Sequence, residues 1–322
     1  MSNFATSISR RAALGRIAAV GGAFMASGLV PKMFAQTTPV PDFLIQMRKT
    51  LGAIPPVKTK LTEQVSLISG PGGNIAVFTW PEGKLAIDSS VAPAADAVLR
   101  EIDTLGQQPL RILINTHWHF DHTDGNEAFH KRGTLIVAHE NVRKRMSAPQ
   151  DIDFFHARVP ASPPAALPDS SFGSTMELDL GNEQVRIAHV DPAHTDTDSI
   201  IQFVNANVVH AGDILFSQSY PFIDYSTGGV IMGMVEAAGR VLALTDSSTK
   251  IIAGHGQVAD AALVRQYRDM LADIAQRVQT LKRQGMDRDA VIAAKPTQQY
   301  DEQWAKGSLK PDQFAALAFS SL

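Results

Sequence analysis

The feature that most constrains this chain is a crowd of polar side chains placed where an apolar run ends. Residues 111–115 read RILIN, and the stretch NTHWHFDHTDGN at 115–126 holds three histidines and two aspartates. A short apolar run bounded by polar residues is typical of a buried strand. The sequence therefore predicts a core strand whose carboxyl end carries a cluster of coordinating and ionisable groups.

The spacing of these side chains fits metal binding. In an extended chain residues two apart point the same way, so His117 and His119 can bind one ion. Asp121 and His122 follow where the chain begins to turn, so they can face a second position beside the first. Zinc accepts both imidazole and carboxylate ligands. Any one of these residues alone would be better explained as a surface histidine or as part of a helix N-cap near Asp124, but the complete set after a buried strand favours a metal site.

The composition limits which groups can do chemistry. The 322-residue chain contains no cysteine, which excludes disulfides, thiolate nucleophiles and thiolate metal ligands. Its formal net charge is −3 and the sequence has no basic run, so a nucleic-acid partner is not predicted. A metal ion or a nucleophile must therefore depend on histidine, carboxylate, hydroxyl or water.

The first 35 residues have the pattern of an export signal. Arg10 and Arg11 precede a small-residue apolar run at 17–30, and the MFA of residues 33–35 could be cut. The arginine pair, with Leu14 shortly after, resembles a twin-arginine signal. A membrane anchor or a disordered basic tail is the alternative, but the apolar run is shorter than the ~20 residues of a spanning helix. We expect a periplasmic protein exported by the twin-arginine machinery, without stable membrane insertion after cleavage.

After this leader, strand patterns alternate with helical ones. Residues 73–80 and 84–90 flank Pro-Glu-Gly, which predicts a hairpin in which Gly83 supplies the turn conformation. Helices are predicted at 93–106 and from about 258 onward, and the proline-rich residues 143–175 are expected to form an irregular crossing segment. Further strands are predicted at 111–116, 134–139, 184–190, 199–204, 207–212 and 250–256. This order favours a layered α/β fold of two sheets covered outside by helices.

The metal-site pattern extends along the chain and resembles that of the metallo-β-lactamase superfamily. The family's ligand positions are matched in order by His117, His119, Asp121, His122, His194, Asp213 and His255. The resemblance covers about residues 65–260 and implies an αββα sandwich, in which two packed mixed β-sheets carry helices on their outer faces and a dinuclear site at one edge. Asp88, in LAIDSS, looks like the family's buried aspartate, which would orient the ligand loop by hydrogen bonds.

The resemblance also assigns the ligands to two zinc ions. It implies that the first is held by His117, His119 and His194, the second by Asp121, His122 and His255, and that Asp213 bridges them. Zinc lowers the pKa of bound water from 15.7 to about 7, so a metal-bound hydroxide would attack a substrate carbonyl with Asp121 as general base. Manganese or iron could occupy the same ligands.

A loop that follows Asp213 could contact the substrate. Tyr220, Asp224 and Tyr225 lie in SQSYPFIDYSTGG, where a phenol could stabilise an oxyanion. A packed loop with satisfied hydroxyls is an equal alternative. The expected organisation is a signal peptide at 1–35, an N-terminal extension at 36–62, and a metallo-hydrolase domain at 63–322 whose C-terminal helices begin near 258.

The same ligand set serves hydrolases of several substrates. Within the resembled family, dedicated zinc β-lactamases usually carry Cys or Ser at the position of Asp213, whereas glyoxalase II-like thioesterases and lactonases carry Asp. The sequence therefore predicts a hydrolase of a small-molecule lactone, lactam, ester or thioester. The alternatives are a β-lactamase proper, a phosphodiesterase, for which a basic groove would be expected, and a non-catalytic accessory protein that binds metal or a cofactor.

Overall fold

The computed structural model describes the strand Thr6–Ile8 and residues 42–322. The expected signal peptide, including Arg10 and Arg11, otherwise lies outside the described residues. Among the helices that are described, none combines the length and the apolar character needed to cross a membrane.

The strands of the described residues form two large sheets and one small hairpin. They are β1 (Thr6–Ile8), β2 (Val57–Lys60), β3 (Val65–Ser69), β4 (Ile75–Trp80), β5 (Gly83–Ile87), β6 (Leu110–Ile114), β7 (Leu135–His139), β8 (Gln150–Ile152), β9 (Ala157–Val159), β10 (Ser170–Phe172), β11 (Thr175–Asp179), β12 (Gln184–His189), β13 (Ser199–Phe203), β14 (Val208–His210) and β15 (Lys250–Ile252).

The α-helices lie between and after these strands. They are α1 (Asp42–Gly52), α2 (Ala95–Asp103), α3 (Phe120–Thr123), α4 (Asn126–Lys131), α5 (Glu140–Met146), α6 (Ile231–Ala243), α7 (Ala261–Arg283), α8 (Arg288–Ala293), α9 (Asp301–Trp304) and α10 (Pro311–Ser320). Side chains cap two of the C-terminal helices, because Asp260 accepts from Leu263 N before α7 and Asp287 accepts from Ala290 N before α8.

The first sheet has the strand order β10-β7-β6-β5-β4-β3-β2. Strands β2 to β5 form an antiparallel meander, and β5, β6, β7 and β10 run parallel. Parallel neighbours need a long crossover, which α2 provides between β5 and β6, and α3 with α4 between β6 and β7. The carboxyl ends of these parallel strands therefore meet at one edge of the sheet.

The second sheet has the strand order β1-β11-β12-β13-β14-β15. Its central strands β11 to β14 are antiparallel neighbours, whereas β1 and β15 pair in parallel at the two edges. Helix α6 lies in the connection from β14 to β15. This crossover brings the residues after β15 to the same edge as those after β14.

The two sheets pack face to face and carry helices on their outer faces. Between them, Phe78 and Leu85 of the first sheet are buried with Ile187 and Phe203 of the second, and the rings of Phe78 and Phe203 lie 5.6 Å apart. Helices α2 and α4 cover the outer face of the first sheet, and α6 and α7 cover that of the second. The predicted αββα arrangement is confirmed.

The predicted hairpin and the predicted role of its glycine have different outcomes. Strands β4 and β5 pair in antiparallel fashion with Trp80 opposite Gly83, which confirms the hairpin. The turn conformation assigned to Gly83 was wrong, since its φ is not positive. A Cβ at this position would come within 2.9 Å of the Trp80 ring and 2.8 Å of Arg111 Cδ. Glycine is therefore needed for space beside the Trp80 ring.

The segment 143–175 was expected to be irregular, and this was only partly correct. Helix α5 continues to Met146, β8 and β9 form a hairpin, and β10 pairs in parallel with β7 at the edge of the first sheet. Each of these strands has three residues that mix polar and apolar side chains, so none gives a clear apolar run in the sequence.

Candidate metal centre

All seven predicted ligands lie in loops or short helices that follow strands at one edge of the sandwich. His117 and His119 follow β6, and α3 carries Asp121 and His122. In the second sheet, the loops after β12, β14 and β15 carry the other three, which are His194, Asp213 and His255. The two sheets thus bring together residues that are far apart in sequence.

The first group contains three histidines and one carboxylate. His117, His119, His194 and Asp213 are buried, and each offers a ligand atom within 4.8 Å of the others. His194 Nε2 lies 2.8 Å from His119 Nδ1, and Asp213 Oδ2 lies 3.5 Å from His194 Nε2 and 3.9 Å from His117 Nε2. Three nitrogens and one oxygen at this spacing are a ligand set suited to zinc.

The second group lies next to the first and shares Asp213 with it. Asp121, His122 and His255 also offer ligand atoms within 4.8 Å of one another. His255 Nε2 is 3.2 Å from Asp121 Oδ2 and 3.3 Å from His122 Nε2. Asp213 reaches this group as well, with Oδ1 3.1 Å from His122 Nε2 and Oδ2 3.4 Å from His255 Nε2. Asp213 therefore lies within reach of both groups of ligands.

In two of the histidines, the ring nitrogen that points away from the other ligands makes a hydrogen bond, and this bond determines whether the other nitrogen can bind a cation. His194 Nδ1 donates to the Phe222 carbonyl at 2.7 Å, and His119 Nε2 donates to Asp224 Oδ2 at 3.0 Å. These donors fix the tautomers, so His194 Nε2 and His119 Nδ1 face each other with lone pairs. Buried His117 Nε2 has no hydrogen-bond partner among the described residues. Converging lone pairs and a buried acceptor without a donor are satisfied by a bound metal ion.

The charges at the site also favour a cation. Burial lowers the pKa of His194 to about 4, which leaves the ring neutral and able to bind metal. Burial would raise the pKa values of the two carboxyl groups, but the surrounding histidines hold that of Asp213 well below its usual range and that of Asp121 at about 2. Although burial disfavours its charged form, Asp213 and Asp121 raise the pKa of His255 to about 9. Two ionised carboxylates in this enclosure therefore attract positive charge.

Comparison with known proteins agrees with this geometry. The family model described as the metallo-beta-lactamase superfamily matches residues 70–277, more than half of the chain. The chain belongs to the metallo-beta-lactamase superfamily. No curated protein matches the chain.

Several solved structures have a similar fold. The metallo-beta-lactamase from Pontibacter korlensis is 17% identical with a TM-score of 0.55, and the match covers 68% of this chain and 99% of that one. The DIM-1 metallo-beta-lactamase is 17% identical with a TM-score of 0.54, covering 68% and 98%. TMB-1 is 16% identical with a TM-score of 0.53, covering 67% and 97%. At these identities the likeness shows the fold alone.

In this superfamily member Asp88 makes hydrogen bonds to the ligand loop. It is fully buried at the end of β5 and has a φ of 65°, a conformation unusual for a residue other than glycine. Its carboxylate accepts from Thr116 N and Thr116 Oγ1 at 2.8 Å and from His122 Nδ1 at 2.7 Å. The last bond leaves His122 Nε2 free to bind metal. Strained backbone persists where the surrounding contacts compensate for it, and here it aims one carboxylate at both the loop and a ligand.

The expected substrate loop has a different role at two of its three positions. The Asp224 carboxylate is buried and accepts from His119 Nε2, Thr227 Oγ1 and Ser226 Oγ, so it supports a ligand instead of facing a substrate. This corrects the expectation of a substrate contact, and Asp224 accepts these bonds from the two hydroxyl residues that end the 3₁₀ turn Tyr225–Thr227.

The two tyrosines of this loop also differ from the expectation of a free phenol. The Tyr220 ring lines the cavity beside the ligands, but its hydroxyl donates to Asp301 Oδ1 at 2.7 Å, which directs it away from them. Burial raises the pKa of Tyr220 further above its ordinary value. Tyr225 begins the 3₁₀ turn Tyr225–Thr227 and packs half-buried against the core beneath α6 and α7. The Tyr220 hydroxyl is therefore not placed to stabilise an oxyanion.

Asn74 is a positioning residue that the sequence did not indicate. Its side-chain amide donates to the carbonyls of Ala253 and Gly256 at 2.9 Å, and its main-chain carbonyl accepts from His210 Nε2 at 3.0 Å. These bonds join the β3–β4 turn of the first sheet to the loop that carries His255 in the second. Asn74 therefore helps to keep the two halves of the metal centre in register.

Proposed function

We propose that the chain is a dinuclear zinc hydrolase that cleaves a carbonyl bond in a small lactone, lactam, ester or thioester. The observation that carries the proposal is the pair of ligand groups on either side of Asp213, whose neutral histidines direct lone pairs inward. When bound, the two metal ions would acidify a water molecule and polarise the substrate carbonyl. Manganese or iron would offer related chemistry on the same ligands.

The residues around the ions would orient the reactants and handle the proton. Asp121 lines the cavity beside His255, where the neighbouring histidines keep its carboxylate ionised, so it can orient the attacking water and collect its proton. His119 also lines the cavity, and Asp224 fixes its ring. The chain therefore provides a base and a rigid ligand at the position where a carbonyl would dock.

The cavity supports a carbonyl substrate over a phosphodiester. It has a volume of 620 Å³, within the range of small-molecule sites. Lys306 is the only lysine or arginine among the described residues that line it, so it does not form a basic groove for a phosphate backbone. The similar solved structures named as metallo-beta-lactamases make a β-lactam one necessary test substrate.

The test of the hydrolase is metal analysis combined with a substrate panel. The purified full chain should bind two zinc ions. It should hydrolyse one of four carbonyl substrates, which are a β-lactam, a lactone, an ester and a thioester, and should not hydrolyse a phosphodiester. We expect Asp121→Ala to lower kcat/KM by at least about 100-fold, the typical contribution of a general base. Asp191→Ala, at an exposed carboxyl near His194, is the matched control and should retain activity.

Two results would overturn the proposal in different ways. Bound zinc with no turnover of any substrate would favour the accessory role, in which the site binds metal or a cofactor without catalysis. A chain that binds no metal would reject the metal centre itself.

We further propose that the protein is periplasmic and is exported by the twin-arginine machinery. The support is the pair Arg10 and Arg11 ahead of a short apolar run at 17–30. The change of both arginines to lysine retains the charge and should leave the protein in the cytoplasmic fraction. Normal export of this double variant would contradict the assignment.

A further inference from the structure

The cavity beside the metal ligands has two chemically different ends. One end is formed by ligands, among them Asp121, Asp213 and His255. Much of the remaining lining is apolar, and helix α1 contributes four residues to it, which are Phe43, Leu44, Met47 and Leu51. If a substrate carbonyl binds at the polar end, an apolar group attached to it would therefore lie along α1.

Aromatic rings connect the metal ligands with α1. The Phe222 ring lies 5.8 Å from His119, and the Phe155 ring lies 5.0 Å from Phe222. Phe155 in turn stacks on Phe43 of α1 at 5.4 Å. These distances are typical of favourable ring pairs, and all three phenylalanines line the cavity. We call Phe43, Phe155 and Phe222 the aromatic wall.

Helix α1 is fastened directly to the segment that carries two ligands. Arg48 donates to both carboxylate oxygens of Asp124, at 2.5 Å and 3.1 Å, and its guanidinium lies 5.0 Å from the centre of the Phe120 ring. Phe120 begins α3, which contains Asp121 and His122, and Asp124 follows that helix. Paired hydrogen bonds between arginine and a carboxylate hold both orientation and distance. The position of α1 is thus fixed relative to the reacting centre.

We propose that α1 and the aromatic wall form a binding site for an apolar acyl chain carried by the substrate carbonyl. The chain would lie against Met47, Phe155 and Phe222, and the wall would thereby determine which carbonyl compounds are hydrolysed. This rests on the proposed function, because it assumes that the carbonyl docks at the metal ligands. It goes further in naming the substrate class, which is an acyl compound with a medium-length apolar chain.

The first test measures binding without turnover. Decanoate and acetate are titrated calorimetrically into the zinc-loaded full chain, since each presents a carboxylate to the metal and only decanoate fills the apolar end. Each buried methylene is worth roughly fourfold in affinity, so even half-complete burial makes decanoate bind at least about 100-fold tighter than acetate. Equal affinities for the two acids would overturn the proposal.

Variants then identify the part of the cavity responsible. Met47 and Phe155 are each half-buried, so Met47→Ala and Phe155→Ala are separate tests, with folding checked by circular dichroism and zinc content. Each should weaken decanoate about tenfold and leave acetate unchanged. Ile45→Ala is the control, because Ile45 lies on α1 with 53% of its surface exposed and does not line this cavity. An equal loss in the Ile45 variant, or no loss in the other two, would contradict the assignment.

A second readout separates this inference from the proposed function. Acetyl and octanoyl esters of one alcohol are compared in the wild-type protein and the Met47→Ala variant. A preference for the octanoyl ester that falls in the variant supports the acyl site. Hydrolysis without any chain-length preference rejects the acyl site and leaves the hydrolase intact. If decanoate binds more tightly than acetate as expected but neither ester is hydrolysed, the result supports the acyl site and counts against the hydrolase.

Discussion

Replacement of Asp224 with asparagine should weaken zinc binding at the first group and not at the second. The carboxylate accepts from His119 Nε2 at 3.0 Å, and this bond keeps His119 Nδ1 unprotonated toward His194. Asparagine retains one acceptor oxygen but no charge, and a hydrogen bond to a charged acceptor is about twice as strong as a neutral one. The loss of about 1–1.5 kcal/mol corresponds to roughly tenfold in zinc affinity, near the lower end of the range for such supporting residues.

Competition with a chromogenic chelator measures this loss site by site. We expect one of two bound zinc ions to be released about tenfold more readily in Asp224→Asn, and nearer 100-fold in Asp224→Ala, which has no acceptor. Tyr225→Phe is the control, since it alters the neighbouring residue and leaves the bond between Asp224 and His119 in place. Unchanged zinc affinity together with a raised KM would refute the reasoning and return Asp224 to the role of a substrate contact.

Two further predictions concern space at the site and acid stability. A Cβ at Gly73 would lie 2.1 Å from the His122 ring, so Gly73→Ala should displace that ligand and lower the zinc content measured by elemental analysis. Gly239→Ala in α6 is the control, because an added Cβ there would meet nothing within 4 Å, and its zinc content should be unchanged. The rings of His139 and His189 stack at 3.6 Å, and burial lowers the pKa of each below its ordinary value. The unfolded chain therefore takes up protons near pH 6.5 before the folded one does, and the free energy of unfolding should fall as the pH decreases below that point. The variant His139→Asn cannot titrate and keeps a side-chain acceptor for the start of α5. Urea unfolding between about pH 7.5 and 5.5 should show that its free energy of unfolding changes less steeply with pH than that of the wild type, by up to about 1.4 kcal/mol per pH unit. An unchanged pH dependence would contradict this account.

Four of the ligands, which are His117, His119, Asp121 and His122, were predicted from the residues themselves because they follow a strand with a clear apolar pattern, whereas His194, Asp213 and His255 were assigned from the resemblance to the metallo-β-lactamase superfamily. The strand before His117 and the strand before Asp213 are both buried at their ends, and their polar successors stand out against them. In contrast, the hydrogen-bond acceptors that fix the tautomers of His119 and His194 are brought to these histidines only by tertiary contacts. Asp224 is 105 residues from His119, and the carbonyl of Phe222 that binds His194 carries no side-chain signal. No local pattern predicts such pairings.

Strand length and packing explain the differences in the fold. Strands with five or six residues, such as β6 and β12, show enough periodicity to be predicted from their apolar side chains. The three-residue strands β14 and β15 were also predicted, because each contains two adjacent β-branched apolar residues. The three-residue strands β8, β9 and β10 mix polar and apolar residues and give no such signal, and β10 pairs with the edge of β7. The role of Gly83 was also hidden, since the constraint is the Trp80 ring on the preceding strand.

The proposed reaction chemistry and the proposed substrate choice depend on partly different segments of this chain. The family model spans residues 70–277, and all seven ligands lie within it. Helix α1 at 42–52 and the residues 306–309 line the cavity from outside that span, one before it and one after it. A superfamily member with the same ligands and different terminal segments would therefore retain the hydrolytic chemistry while its cavity admitted different acyl groups. For this reason the family match supports the proposed metal centre, whereas the proposed substrate class rests on α1 and on the aromatic wall, of which Phe155 and Phe222 lie within the matched span and Phe43 lies before it.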